Sequence, residues 1–154
     1  MTGLAAGQYT LWIFGRSAAA STFAPAVTVP VTVMPAPPPT VQATIDRPAP
    51  GVNAHAFLVA GWALTQNVSP GPGIVTIHAW ALPVGGGTPV FLGVPALGGP
   101  RPDVAALYGD AYESSGFYLP GATLPSGTWD ITVFLWPAGA NGFTTARVVR
   151  ITIP

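Results

Sequence analysis

Apolar and polar residues alternate along the second half of the chain in short runs separated by turn-forming residues. Alternation with a period of two is typical of strands whose two faces meet different surroundings. We therefore predict seven strands after residue 40, a spacing that indicates an all-β antiparallel sandwich. They are Val41–Asp46, Ala54–Leu64, Ile74–Leu82, Pro89–Val94, Gly116–Leu119, Thr128–Trp136 and Thr144–Ile153. Turns are expected at Pro50-Gly51, Pro70-Gly71, Gly85-Gly86 and Gly98-Gly99.

One segment is predicted to be helical, from Pro102 to Tyr108. Proline fits the first turn of a helix, Asp103 favours its N-terminus, and Gly109 provides a stop. The length allows one or two turns.

The inward face of the last two strands is marked by a set of odd-numbered apolar residues. These are Trp129, Ile131, Val133, Leu135, Val149, Ile151 and Ile153. On the third predicted strand, Val75, Ile77 and Ala79 are expected to face the same core.

An internal repeat relates the two ends of the chain. Shifting the sequence by 120 positions places residues 4–33 on residues 124–153 without a gap, with nine identities in thirty pairs. Composition alone gives about three. The identical pairs are Leu4/Leu124, Gly7/Gly127, Phe14/Phe134, Ala18/Ala138, Ala20/Ala140, Phe23/Phe143, Ala26/Ala146, Val29/Val149 and Thr32/Thr152.

The repeat predicts the domain organisation. Residues 1–33, with strands near Gln8–Arg16 and Val27–Val33, are expected to be the last strand pair of a preceding repeat. Residues 34–40 are Pro-rich, which favours an extended, semi-rigid linker. Residues 41–154 then form one complete domain.

Both copies enter the first strand of this pair through a Leu-x-x-Gly-x-aromatic pattern, with Gly7 and Tyr9 in one copy and Gly127 and Trp129 in the other. The pattern resembles the tyrosine corner of immunoglobulin-like and fibronectin type III sandwiches. Trp129 lacks the hydroxyl of that motif, so its corner is expected to rest on packing or on the indole N–H.

An ordered series of motifs spans the complete domain: Ile45-Asp-Arg-Pro-Ala-Pro-Gly51, Ala60-Gly-Trp-Ala63, Ile77-His-Ala-Trp-Ala-Leu-Pro83, Phe91-Leu-Gly93, Arg101-Pro-Asp-Val104 and Ser115-Gly-Phe117. The series resembles a bacterial immunoglobulin-like repeat of large secreted or surface-anchored proteins. The resemblance implies an immunoglobulin-like sandwich of about seven strands, an extracellular or cell-surface location, and a spacer or adhesive setting. It implies no catalytic residues.

Composition excludes several classes of function. Charged residues make up 6% of the chain and the formal net charge is zero, so no basic surface is expected for nucleic acid or anionic lipid. Every apolar run is shorter than a membrane helix requires, and residues 1–20 lack the features of a signal peptide. There is no cysteine for a disulfide or thiolate site.

Four side chains are expected to form an aromatic patch on the outer face of the third and sixth predicted strands, namely His78, Trp80, Phe134 and Trp136. Three explanations are open. The segment Pro83–Gly93 or an adjacent repeat covers the patch; copies of the chain assemble through it; or sugar rings stack on it.

The remaining polar residues predict structure rather than chemistry. Arg101 is expected to fork onto Asp103 or onto loop carbonyls and so clasp the long connection. His55 and His78 lie on different predicted strands, so no metal site or cofactor is predicted. The carboxylates Asp46, Asp103, Asp110, Glu113 and Asp130 match no calcium loop and are expected to be solvated.

No nucleophile with a base and no carboxylate pair is visible, so the chain is predicted not to be an enzyme. Three hypotheses follow. The chain is a structural spacer or stalk whose partners are neighbouring repeats or copies of itself. Alternatively, it is a filament or sheath subunit joined by strand complementation through residues 1–33. A third hypothesis is a carbohydrate-binding module that uses the aromatic patch.

Overall fold

The computed structural model describes residues 4–16, 19, 22–68 and 71–154. The chain divides into two compact units, Met1–Pro38 and Pro39–Pro154, called here the N-terminal and the C-terminal unit. The identities at Ala18 and Ala20, and Pro70 of a predicted turn, lie outside the described residues.

The N-terminal unit contains a two-stranded antiparallel hairpin, with β1 at Gly7–Ile13 and β2 at Val27–Val33. The first strand was predicted to reach Arg16, but the continuous ladder ends at Ile13. Beyond it, Arg16 and Phe23 form an isolated bridge, and the Ala24 N–H donates to the Gly15 carbonyl at 2.8 Å.

The C-terminal unit is built of two sheets. The four-stranded sheet has the order β3-β5-β9-β8, and the five-stranded sheet has the order β4-β11-β10-β6-β7. Neighbouring strands are antiparallel, except that β4 runs parallel to β11. The strands are β3 (Thr40–Arg47), β4 (Gly51–Val52), β5 (Ala56–Gln66), β6 (Ile74–Pro83), β7 (Val90–Gly93), β8 (Ala96–Gly99), β9 (Gly116–Thr123), β10 (Gly127–Pro137) and β11 (Thr145–Ile153).

All seven predicted strands are present, but β4 and β8 were not predicted, which gives nine strands in the described part of the C-terminal unit. Gly51 opens β4, and the predicted turn at Gly98-Gly99 is wrong because both glycines belong to β8. The close approach of β8 to β9 requires glycine at position 116 of β9. A Cβ on Gly116 would lie 2.7 Å from the Gly99 carbonyl oxygen.

One hydrophobic core lies between the two sheets. The predicted odd-numbered residues of β10 and β11 all contribute to it, with Val149 partly buried and the other six buried. Ile77 and Ala79 of β6 also face the core, as predicted. The prediction for Val75 is wrong, because this side chain is 57% exposed. A bulge shifts the register of β6 against β10 at this end, and Ile74 packs against the core instead.

The predicted helix is confirmed as α1, Pro102–Tyr108. It buries Val104 and ends at Gly109, whose φ of 107° suits glycine and whose N–H donates to the Ala105 carbonyl at 2.8 Å. A short 3-10 helix, Asp110–Tyr112, follows before β9. The helices found in the described part of the chain fall short of what a membrane crossing requires.

The hairpins β1–β2 and β10–β11 match in register. Gly7 pairs with Val33 and Gly127 pairs with Ile153, and all seven pairs of β1–β2 fall on pairs of β10–β11 when 120 is added to each number. The hydrogen bonds beyond the strands match too. The bond between Ala24 and Gly15 corresponds to the bond from the Thr144 N–H to the Leu135 carbonyl. The sequence identity therefore accompanies identical backbone pairing.

Candidate functional site

The candidate site lies on the outer face of β6 and β10, the face opposite the core. Register places His78 opposite Phe134, Trp80 opposite Thr132, and Thr76 opposite Trp136. The four predicted side chains therefore occupy two adjacent strands with the same orientation. All four side chains are half-buried.

A continuous row of five rings runs across this face, and we call it the aromatic row. The ring centroids are separated by 4.9 Å for Trp80 and Phe91, 5.5 Å for Phe91 and His78, 4.5 Å for His78 and Phe143, and 5.7 Å for Phe143 and Trp136. All four ring pairs are tilted or edge-to-face, the geometries that aromatic quadrupoles favour.

Two members of the aromatic row were missed from the sequence, Phe91 on β7 and Phe143 in the connection between β10 and β11. They are the most open rings of the row, at 47% and 40% exposure, and they partly cover the strand residues beneath them. Phe91 lies inside the segment Pro83–Gly93 that was considered as cover. Phe143 carried a signal, since it is identical to Phe23, whose ring meets Phe14 edge-to-face at 6.4 Å.

One hydrogen bond and one ion pair also hold side chains of this face in place. The Trp136 indole N–H donates to the Ala140 carbonyl at 2.9 Å, which ties the ring to its own loop. Arg150 donates two hydrogen bonds to Asp130, at 2.7 and 2.8 Å, and this hydrogen bonding lowers the pKa of the Asp130 carboxyl. The aromatic row therefore forms a mainly apolar strip on this face. Beside it, the charges of Arg150 and Asp130 cancel in an ion pair.

Arg101 lies in the connection between β8 and β9, and its guanidinium joins this connection to β3 of the four-stranded sheet. It donates to both carboxylate oxygens of Asp103, at 2.9 and 2.6 Å, and to Asp46 on β3 at 2.6 Å. The prediction named Asp103 but not Asp46 as its partner. Asp46, Asp103 and Asp130, which were expected to be solvated, are all engaged by arginines, because a guanidinium fork matches carboxylate geometry.

The two corner residues bond to the backbone in the same way. The Tyr9 hydroxyl donates to the Ala5 carbonyl at 2.9 Å, and the Trp129 indole N–H donates to the Pro125 carbonyl at 3.1 Å. Both bonds reach four residues back along the chain. The glycine of each motif leaves room for the ring. A Cβ on Gly127 would lie 3.3 Å from the Trp129 indole nitrogen, and one on Gly7 would lie 3.7 Å from the Tyr9 ring.

The two histidines are not brought together. His55 Nδ1 donates to the Leu124 carbonyl at 3.0 Å, whereas His78 belongs to the aromatic row. Across residues 4–16, 19, 22–68 and 71–154 there is no group of three or more His, Asp or Glu side chains placed to hold a metal ion.

The hydrogen bond from Arg101 holds the pKa of the Asp103 carboxyl at about 2, below its usual value of 3.8. Because the folded-state pKa is lowered, this interaction stabilises the fold above about pH 4 and is lost as the pH falls from about 4 to about 2. We expect the Asp103 carboxyl carbon to titrate near 2 by NMR, and the Arg101→Gln variant to shift the midpoint up towards 3.8.

The matched control is Arg150→Gln, which removes the partner of Asp130 and leaves Asp103 untouched. If the titration midpoint of Asp103 does not move in Arg101→Gln, the ion pair between Arg101 and Asp103 does not determine this pKa.

Comparison with known proteins adds no relative. A scan against models of protein families finds no match for this chain, and a search of curated proteins finds none either.

Proposed function

We propose that this chain is a non-catalytic structural module, an immunoglobulin-like sandwich that serves as a spacer, stalk or assembly unit. The observation that carries the proposal is the matched pair of hairpins, β1–β2 and β10–β11, which share register and flanking hydrogen bonds. A chain that contains one supersecondary unit twice, joined by a Pro-rich connector, has the organisation of a repeat protein.

The order of the strands supports the immunoglobulin-like assignment. In such sandwiches one sheet has the order A-B-E-D and the other contains C, F and G. The order β3-β5-β9-β8 agrees with the first sheet, and β6, β10 and β11 take the places of C, F and G. The corner bond of Trp129 stands where the tyrosine corner of such domains is found.

The arrangement of charged groups supports a structural rather than a catalytic role. Arg101 is paired with Asp46 and Asp103, and Arg150 is paired with Asp130. These ion pairs hold strands and connections to one another, whereas catalysis needs a nucleophile or an acid–base pair positioned for a substrate. The resemblance to bacterial immunoglobulin-like repeats adds an extracellular or cell-surface setting to the proposal.

A second candidate function, carbohydrate binding, is favoured by one observation, the aromatic row. Its two most open rings, Phe91 and Phe143, lie between the two tryptophans, one on each side of His78. Sugar rings present C–H faces that pack on aromatic surfaces, and a row of partly exposed rings suits an extended polysaccharide.

A screen of immobilised polysaccharides separates the two candidates. As a structural module, the chain should show no saturable retention on any of them, and the double variant W80A/W136A should behave like the wild type. Saturable binding that is lost in W80A/W136A, while this variant still folds and unfolds cooperatively, would establish the carbohydrate-binding alternative. Leu107→Ala is the matched control, because Leu107 is exposed on α1, outside the aromatic row.

A further inference from the structure

One face of the hairpin β1–β2 is apolar and exposed. Leu11, Ile13 and Val29 are 48%, 56% and 40% exposed. Their counterparts 120 residues later are Ile131 and Val133, which are fully buried, and Val149, which packs against the core. The same strand pair with the same register is therefore covered in the C-terminal unit and open in the N-terminal unit.

The C-terminal unit shows what covers such a face. Strand β6 pairs with β10 in a register that puts Ala81 opposite Ile131 and Ala79 opposite Val133. Strands β3, β5 and β9 close the core from the other sheet with residues such as Val59 and Phe117. Covering an F–G type pair takes one added strand and one facing sheet.

The edges of the hairpin favour β1 as the place for the added strand. In the C-terminal unit, the Thr128 carbonyl faces the β6 side and accepts from Val84, and the Thr152 carbonyl faces β4 and accepts from Asn53. Backbone groups two residues apart point to the same side of a strand. Pro30 corresponds to Arg150, two residues before Thr152, so its backbone groups face the outer edge of β2. Because proline has no N–H, it interrupts hydrogen bonding along that edge, whereas β1 contains no proline.

A second hairpin packed face to face is too small a partner. Two strands of seven residues, at about 3.4 Å per residue and about 4.8 Å between strands, present a face of roughly 230 Å². A stable interface takes about 800 Å² from each side. The extra surface of the side chains does not raise the area of this face to that of a stable interface, so a larger body with its own sheet is required.

We propose that β1–β2 is the closing strand pair of a second sandwich, and that its partner is a polypeptide body with strands equivalent to β3–β9. That body adds its β6 equivalent antiparallel to β1, with small apolar residues opposite Leu11 and Ile13, and it lays its second sheet over Tyr9 and Val29. Neither β1 nor β2 contains a charged residue, so no charge is buried by this docking. The inference rests on the proposed function, since it treats the hairpin as part of a second module.

The test supplies such a body and asks whether Leu11 becomes buried. Residues 39–123 of this chain are joined directly ahead of Leu4, which reproduces the junction between residues 123 and 124, because Leu4 corresponds to Leu124. Tethering provides a high effective concentration. The chain has no cysteine, so a single Leu11→Cys substitution gives a unique thiol whose rate of alkylation reports its exposure.

We expect the Leu11→Cys thiol to react at least about tenfold more slowly in the extended chain than in the 154-residue chain. Thr10→Cys is the matched control. Thr10 is adjacent but on the opposite face, and its counterpart Asp130 faces outward, so its thiol should react at the same rate in both chains.

Equal rates for Leu11→Cys in the two chains would overturn the proposal. So would protection that rises with protein concentration in the 154-residue chain alone, because the occupant would then be a second copy. Polysaccharide binding through the aromatic row would overturn the structural role but would leave the result for Leu11→Cys unchanged, so the two proposals fail separately.

Discussion

Replacing Gly61 by alanine should destabilise the C-terminal unit by about 3 kcal/mol or more and lower its unfolding midpoint by roughly 10 °C or more. Gly61 is buried in the centre of β5, where it pairs with Ile45 on one side and Phe117 on the other. A Cβ there would lie 2.0 Å from the Thr44 carbonyl oxygen and 2.8 Å from the Phe117 ring. The nearest obstacle is backbone, so β3 must move away from β5 to admit a methyl group.

The matched control is Gly142→Ala, because a Cβ on Gly142 meets nothing within 4 Å. Thermal unfolding followed by near-ultraviolet circular dichroism compares the two variants with the wild type. Gly142→Ala should stay within about 0.5 kcal/mol of the wild type. A Gly61→Ala variant as stable as this control would mean that β3 and β5 do not approach as closely as described.

Local pattern predicted most of the strands because burial on one face imposes alternation. Residues of β6, β10 and β11 meet a core on one side and the outer face on the other, so their inward faces were predictable, apart from Val75 at the bulged end of β6. Strand β8 has no such alternation. Its Gly98-Gly99 pair looks like a turn, but the backbone of Gly99 packs closely against Gly116 on a distant strand. That approach is a tertiary contact, which no local pattern encodes.

The candidate site was predictable in part for a similar reason. Alternation along each strand predicts that His78 and Phe134 both point to the outer face. The strand register then places them opposite each other. Which side chains then lie over the face depends on the paths of the connections. Phe91 and Phe143 reach the aromatic row from β7 and from the connection between β10 and β11, so they were not predicted as members of it.

The ion pairs of Arg101 with Asp103 and Asp46 show the same division between local and distant contacts. Asp103 is two residues from Arg101, so its pairing follows from local geometry. Asp46 lies 55 residues away on β3 and meets Arg101 because the fold brings the connection against the four-stranded sheet. Sequence spacing carries no signal for that second partner.

The second large effect concerns two positions that the repeat makes equivalent. Ile131 is fully buried between the sheets, so Ile131→Ala should cost about 3 to 4 kcal/mol through lost burial and the cavity left behind. Leu11 occupies the same place in its hairpin and is 48% exposed. Leu11→Ala should therefore change the stability of the C-terminal unit by less than about 0.5 kcal/mol.

Thermal unfolding of the full chain, followed by near-ultraviolet circular dichroism, measures both variants. Val148→Ala serves as the control within the C-terminal unit, because Val148 is exposed on β11 beside core residues and its truncation leaves no cavity. Equal losses for Ile131→Ala and Leu11→Ala would contradict the difference in burial, since hydrophobic stabilisation follows the apolar area removed from water. If only Ile131→Ala lowers the free energy of unfolding strongly, two positions with matched sequence and strand register contribute differently to stability. The difference arises because the burial of each position depends on the strands around it.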